Sequence, residues 1–88
     1  MFRKTLMAAA AVFALGGTAN AATEITWWHA MDGALGDVVN QITADFNASQ
    51  DEYQLVAVNK GGYEDTMTAG IAAFRAKNQP NIIQIFDA

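Results

Sequence analysis

The stretch YQLVAVNKGGYEDTMTAGIAAF, residues 53–74, decides the fold of this 88-residue chain. Its first part, Tyr53 to Asn59, is nearly continuously apolar in the middle, which is typical of a strand covered on both faces. Gly61 and Gly62 end this strand, and a helix with one apolar face is predicted from Tyr63 to Lys77. A strand followed by a crossover helix is the building unit of a parallel sheet.

A further strand and helix are predicted before this stretch, and a further strand is predicted after it. Upstream, the sequence predicts a strand from Thr23 to Ala30 and a helix with an apolar stripe from Ala34 to Ala48. Downstream, Pro80 stops the second helix and a third strand is predicted from Asn81 to Asp87. Gly70 lies inside the second helix, where close packing on the sheet would explain it. The order β-α-β-α-β predicts an α/β fold, the start of a doubly wound parallel sheet.

The first 21 residues have the features of a secretory signal peptide. Arg3 and Lys4 form a positive segment, Leu6 to Leu15 is apolar, and Ala19-Asn20-Ala21 is a small-residue cleavage site. The apolar run is far shorter than the ~20 residues of a membrane span. Residues 22–88 are therefore predicted to be exported, as the incomplete N-terminal part of a larger α/β lobe.

Composition excludes several partners for residues 22–88. They contain no cysteine and nine acidic against three basic side chains, a formal charge of −6. This charge argues against binding of nucleic acid or anionic lipid, both of which need a basic surface. Export without disulfides is typical of a bacterial periplasm and atypical of small secreted domains.

Polar and aromatic side chains are predicted at one edge of the sheet. In open α/β sheets, ligands lie beyond the carboxyl ends of the strands, where the strand order reverses. Tyr63 begins the second helix at that edge, and Asp87 ends the third strand there. These two residues are the main ligand-binding candidates, and Trp28 and His29, at the end of the first strand, are weaker ones.

Each candidate also has a structural interpretation. Tyr63 could pack on Met67, one helical turn later. For His29, a backbone hydrogen bond that closes the strand end is favoured over a ligand contact. Trp27 and Trp28 point to opposite faces of the strand, so one is expected in the core and the other as a stacking surface.

Catalytic and metal-binding patterns are absent from the sequence. It has one histidine, no cysteine, no G-x-S-x-G, no phosphate-binding P-loop and no cluster with metal-ligand spacing. Glu64 and Asp65 suit the positive end of the second helix and would repel a phosphate. The sequence therefore predicts a protein without enzymatic activity, metal or cofactor.

Three segments carry a resemblance to a known family. WHAMDGALG (28–36) is similar to many extracellular solute-binding proteins of the sugar-binding type, the soluble receptors of ABC importers. KGGYE (60–64) and AGIAAFRAKNQPNIIQI (69–85) resemble, more specifically, the periplasmic receptors for sn-glycerol-3-phosphate. The resemblance extends over essentially all of residues 22–88.

The resemblance implies a two-lobed receptor that closes on its ligand and then docks on a membrane permease. It implies capture of sn-glycerol-3-phosphate or glycerophosphodiesters for uptake as phospholipid precursors, with a cytoplasmic ATPase driving the permease. It also implies that Tyr63 and Asp87 contact the ligand. The relatives usually carry glutamate, one methylene longer, at the position of Asp87. The basic group that holds the phosphate is expected beyond Ala88.

Two other functions fit the same residues. A receptor for a sugar or oligosaccharide would share the fold and the transport role, and the tryptophan pair and acidic charge would suit it. An exported α/β enzyme that acts on phosphate esters is the weaker alternative, because no catalytic residue stands in this sequence.

Overall fold

The computed structural model describes residues 21–87 and has the predicted α/β fold. Two helices connect three parallel strands in the predicted order. The predicted signal peptide lies almost entirely outside the described residues. The elements are β1 (Thr23–His29), α1 (Gly33–Ser49), β2 (Tyr53–Asn59), α2 (Tyr63–Arg75) and β3 (Ile82–Ile83).

The sheet has the strand order β2-β1-β3, so the first strand lies in the centre. β1 pairs with β2 along its whole length, from Thr23 opposite Tyr53 to His29 opposite Asn59. On its other side, β1 pairs with β3 only at two positions, with Trp28 opposite Ile83 at the upper end. The chain places β2 on one side of β1 and then crosses over to place β3 on the other side. This is the reversal of strand order at which open α/β sheets bind ligands.

The third strand is shorter than predicted. The third strand is present, but the bounds predicted for it, Asn81 to Asp87, were wrong, because regular pairing covers only Ile82–Ile83. The Gln84 backbone N–H still donates to the Trp28 carbonyl at 2.9 Å, but β1 ends one residue after Trp28. The Ala30 N–H donates instead to the side-chain oxygen of Gln84, at 2.9 Å. Residues 85–87 therefore leave the sheet.

The second helix also ends two residues earlier than predicted. It stops at Arg75, and Lys77 has a positive φ of 60°. The Asn78 N–H donates to the Ala73 carbonyl at 2.8 Å, and the Lys77 N–H donates to the Phe74 carbonyl at 3.0 Å. This pair of hydrogen bonds is the Schellman pattern, which requires a left-handed residue where Lys77 stands.

Helix α2 packs closely on the third strand at Gly70. A Cβ atom at Gly70 would lie 2.5 Å from the Ile83 Cδ1 atom, so the position has no room for a side chain unless Ile83 moves. This contact confirms the packing reason predicted for a glycine inside the helix. Because Ile83 and Trp28 are paired, α2 lies on the face of the sheet to which Trp28 points.

Few side chains are fully buried in the described residues. The buried apolar residues are Ala30 and Val39, and the buried polar ones are His29 and Thr66. Several large apolar side chains of α2 and of the segment after β3 stay substantially exposed, among them Ile71 at 47%, Phe74 at 69% and Ile85 at 55%. The apolar face on this side of the sheet is thus only partly covered by residues 21–87.

Candidate ligand-binding site

Two chain turns meet at the carboxyl ends of β1 and β2. The His29 carbonyl accepts a hydrogen bond from the Lys60 N–H at 2.9 Å, which holds the ends of the two strands together. The Asn59 side-chain amide donates to the Met31 carbonyl and to the Asp32 carboxylate, both at 2.8 Å. This edge is therefore fixed by a network that links both turns.

His29 has a structural role at this edge. Its side chain is 4% exposed, and its Nδ1 atom accepts a hydrogen bond from the Met31 N–H at 3.2 Å. Its ring lies 5.8 Å from the Trp27 ring, on the same face of β1. The backbone hydrogen bond that the sequence favoured for His29 is thus present.

The turn between β2 and α2 is shaped by its two glycines. Gly61 has a φ of 106°, a conformation open mainly to glycine, and its N–H donates to the Asn59 side-chain oxygen at 2.7 Å. A Cβ atom at Gly61 would also lie 2.8 Å from the Asp65 carboxylate. The turn therefore requires glycine at Gly61 both for its conformation and for space.

The first turn of α2 is held by side-chain hydrogen bonds to the backbone of Gly62. The Asp65 carboxylate accepts a hydrogen bond from the Gly62 N–H at 3.1 Å. The Thr66 hydroxyl donates to the Gly62 carbonyl at 2.8 Å, and the Thr66 side chain is fully buried. These bonds fix the backbone at the start of the helix, where Tyr63 is the first residue.

Tyr63 contacts the segment that follows the third strand. Its ring centroid lies 4.9 Å from that of Phe86, with the planes tilted by 50°. Phe86 is followed directly by Asp87, whose side chain is exposed. The structure thus brings Tyr63 next to the neighbour of Asp87, at the edge where the sequence predicted both residues.

A cleft opens beside this aromatic pair. It has a volume of about 390 Å³ and is lined by Tyr63, Glu64, Met67, Thr68 and Phe86. Met67, the packing partner predicted as an alternative for Tyr63, is among these residues, and Phe86 was missed by sequence reasoning. Its position immediately before the candidate Asp87 could have indicated from the sequence that Phe86 lies near the site.

The ammonium group of Lys60 lies over the Trp28 ring. The Lys60 Nζ atom lies 4.1 Å from the centroid of the Trp28 ring, a cation–π distance. One face of the indole is therefore covered by Lys60, which the sequence did not single out. Lys60 also places a positive charge at the same edge as the acidic start of α2, where Glu64 and Asp65 lie.

A second cavity, of about 400 Å³, lies between α2 and the third strand. Its lining is mainly apolar and includes Met67, Ile71, Phe74 and Ile83. Such a lining offers few hydrogen-bonding groups to a polar ligand, unlike the edge with Tyr63 and Asp87.

Two further features concern only residues 21–87. No group of three or more histidine, cysteine, aspartate or glutamate side chains in this part of the chain is arranged to hold a metal ion. Neither of the two described helices combines the length and the hydropathy of a membrane crossing.

The fold defines the class of protein. The chain is similar to the crystal structure of cyclic alpha-maltosyl-1,6-maltose binding protein from Arthrobacter globiformis, with a TM-score of 0.66 and 29% sequence identity. The match covers 70% of this chain and 16% of that chain. The fold is that of the first part of a solute-binding protein, which confirms the predicted fold class.

Curated relatives narrow this class. The chain is 54% identical over 81 residues to the sn-glycerol-3-phosphate-binding periplasmic protein UgpB of Agrobacterium fabrum. It is 48% identical over 84 residues to the protein of that name in Brucella abortus, and 45% identical over 83 residues to that of Escherichia coli. These matches cover 92%, 96% and 94% of this chain, respectively.

The chain spans 19% of the length of each of these relatives. Over its own length it is a homologue of the periplasmic sn-glycerol-3-phosphate-binding proteins, which confirms the relationship that the resemblance predicted. No family model matches the chain.

Proposed function

We propose that this chain is part of a periplasmic receptor that captures sn-glycerol-3-phosphate and delivers it to the membrane permease of an ABC importer. The names of the relatives give this ligand and the periplasm. Because the chain spans 19% of those relatives, the proposal concerns a protein of their full length, called here the full-length protein. In this proposal, residues 1–21 direct export, and a cytoplasmic ATPase drives the permease.

Tyr63 and Asp87 are proposed to bind the glycerol part of the ligand. The Tyr63 hydroxyl can donate or accept one hydrogen bond, and the Asp87 carboxylate can accept bonds from one or two ligand hydroxyls. Hydrogen bonds to a charged group contribute about 1.5–3 kcal/mol, against about 1 kcal/mol for neutral ones. Asp87 is therefore expected to contribute more to affinity than Tyr63.

The phosphate is proposed to bind outside this segment. Glu64 and Asp65 lie in the first turn of α2, and their charges offset the attraction of the helix N-terminus for an anion. Lys60 is engaged with the Trp28 ring. The basic group that holds the phosphate is therefore expected in other parts of the full-length protein.

Within residues 21–87, the main support for the proposal is the contact between Tyr63 and Phe86. The Tyr63 ring lies 4.9 Å from the Phe86 ring, so the phenol stands beside the residue that precedes Asp87. A hydroxyl and a carboxylate at one sheet edge suit a polyol, and this is the edge where ligands of open α/β sheets bind.

The test is calorimetric titration of the full-length protein with sn-glycerol-3-phosphate. The Tyr63→Phe variant is expected to bind about fivefold more weakly, because it loses one neutral hydrogen bond. Tyr53→Phe is the matched control, since Tyr53 has a similar exposure of 41% but starts β2 at the opposite end of the sheet. Unchanged affinity in Tyr63→Phe would remove Tyr63 from the site.

A sugar receptor is the second candidate function. The structural neighbour from Arthrobacter globiformis is named for binding a cyclic maltose derivative, and its fold resembles this segment. Titration with sn-glycerol-3-phosphate, glycerophosphodiesters and maltose-type sugars would separate the two candidates. Binding of the sugars alone would favour the sugar receptor.

The relatives are named as binding proteins, and a binding role without catalysis is proposed for this protein as well. Incubation of the same phosphate esters with the full-length protein should release no inorganic phosphate. Catalytic release would support the alternative of an exported phosphoesterase.

A further inference from the structure

We infer that Phe86 is a positioning residue that holds the Tyr63 phenol in its ligand-binding orientation. The inference rests on the proposed function, in which the Tyr63 hydroxyl contacts the ligand. It assigns a role to a side chain that no motif of the sequence singled out.

The backbone at the start of α2 is fixed, but the Tyr63 ring is not held by that network. The hydrogen bonds of Asp65 and Thr66 both end on the backbone of Gly62. The Tyr63 side chain itself is 39% exposed. An exposed side chain can change its rotamer, so a further contact is needed to fix the direction of the hydroxyl.

Phe86 provides this contact from a well-anchored position. Gln84, two residues earlier, is tied to β1 by its N–H to the Trp28 carbonyl and by its side-chain oxygen to the Ala30 N–H, each at 2.9 Å. The Phe86 ring reaches Tyr63 at 4.9 Å with a tilt of 50°, within the range that aromatic pairs prefer. The sheet is thus connected to the phenol through Gln84 and Phe86.

The contact lies at the surface and is therefore suited to positioning more than to stability. Phe86 is 49% exposed, so its removal would take little from a buried core. If the Tyr63 ring then samples several rotamers, only a fraction of the molecules present the hydroxyl correctly. The apparent dissociation constant rises in inverse proportion to that fraction.

The experiment is a double-mutant cycle in the full-length protein, with calorimetric affinity for sn-glycerol-3-phosphate as the readout. Phe86→Ala is expected to weaken binding roughly threefold to tenfold, because the competent fraction falls. In a Tyr63→Phe background, the same change should cost less than about twofold, since the hydroxyl to be positioned is already gone. Phe86→Tyr keeps an aromatic ring and should bind within about twofold of the unmodified protein.

Each outcome decides between the two proposals. An equal loss from Phe86→Ala in both backgrounds, or no loss in either, would overturn the positioning role while leaving the proposed function intact. Failure of Phe86→Tyr to retain binding would also overturn it. If the unmodified protein does not bind sn-glycerol-3-phosphate, the proposed function fails first. Thermal unfolding of every variant must show the same midpoint within a few degrees, so that altered folding is not read as altered positioning.

Discussion

The central strand β1 is paired to very different extents on its two sides. On one side, β2 pairs with β1 along all seven residues from Thr23 to His29, and on the other side β3 pairs with it at two. The β2 side is closed by backbone and amide hydrogen bonds. The third-strand side carries the proposed ligand-binding residues, while large apolar side chains stay exposed on both helices, such as Val38 at 53% and Ile71 at 47%.

Helix α1 and Gln50, the residue that follows it, cover the first part of the outer edge of β2 with side-chain amides. Asn47 donates to the Leu55 carbonyl at 2.9 Å and accepts from the Leu55 N–H at 2.7 Å. Gln50 pairs in the same way with both backbone groups of Tyr53, at 2.8 and 2.7 Å. Unpaired groups on an edge strand invite association with other strands, and these amides occupy the groups of Tyr53 and Leu55.

The more regular pairing and the proposed ligand-binding residues lie on different sides of β1. On the β2 side, the full-length pairing with β1 and the amide contacts to Tyr53 and Leu55 hold the strand from both sides, so this is the more regular part of the sheet. The residues after β3 leave the ladder once β1 has ended, and this departure brings Phe86 to Tyr63. The less regular side is therefore the one that carries the proposed ligand-binding residues.

The largest expected effect comes from opening the closed edge. Asn47→Ala removes both hydrogen bonds to Leu55, and its two partly enclosed backbone groups lose their partners. We expect a loss of about 2–3 kcal/mol in the free energy of unfolding. Chemical denaturation of the full-length protein measures it.

The matched control for this prediction is Asn40→Ala. Asn40 is an exposed asparagine on the same helix, and its replacement should change stability by less than about 0.5 kcal/mol. Equal effects of the two substitutions would show that the Asn47 amide does not protect the edge.

An intermediate effect is expected where α2 packs on the third strand. Gly70→Ala places a Cβ atom 2.5 Å from the Ile83 Cδ1 atom, the movable end of that side chain, and we expect a net loss of about 1 kcal/mol after the better helix propensity of alanine is counted. Combining it with Ile83→Val removes the clashing methyl and should recover most of that loss relative to Ile83→Val alone. If Gly70→Ala is stabilising by itself, the third-strand side is looser than the structure indicates.

The smallest effect is expected at the end of α2. Lys77 has a φ of 60°, a conformation that costs a residue with a Cβ atom more than it costs glycine. Lys77→Gly should therefore raise the free energy of unfolding by about 0.5–1 kcal/mol. Lys77→Ala keeps the Cβ atom while removing the charge, so a gain of the same size in Lys77→Ala would refute the conformational explanation.

Much of the fold was predictable because local patterns determine it. The order of elements and the bounds of Tyr53–Asn59 follow from hydrophobic periodicity and from the two glycines. The length of the third strand was not predictable, since it depends on where β1 ends. The end of α2 was also missed, because Lys77 takes a conformation that its residue type disfavours.

The candidate site was predictable in position but not in its contacts. The edge that holds Tyr63 follows from the strand topology. The approach of Phe86 depends on the path of the chain after the sheet, which the sequence pattern of Asn81 to Asp87 does not encode. The contact of Lys60 with the Trp28 ring was likewise not predictable, because it depends on the conformation of a long, flexible side chain. The ligand contacts of Tyr63 and Asp87, and the signal peptide, stay predictions.

The most direct test is a crystal structure of the full-length protein with bound sn-glycerol-3-phosphate. We expect the Tyr63 hydroxyl and the Asp87 carboxylate each to lie within about 3 Å of a glycerol hydroxyl, with the phosphate held outside residues 21–87. A ligand that contacts neither side chain, or a phosphate seated at the start of α2, would contradict it.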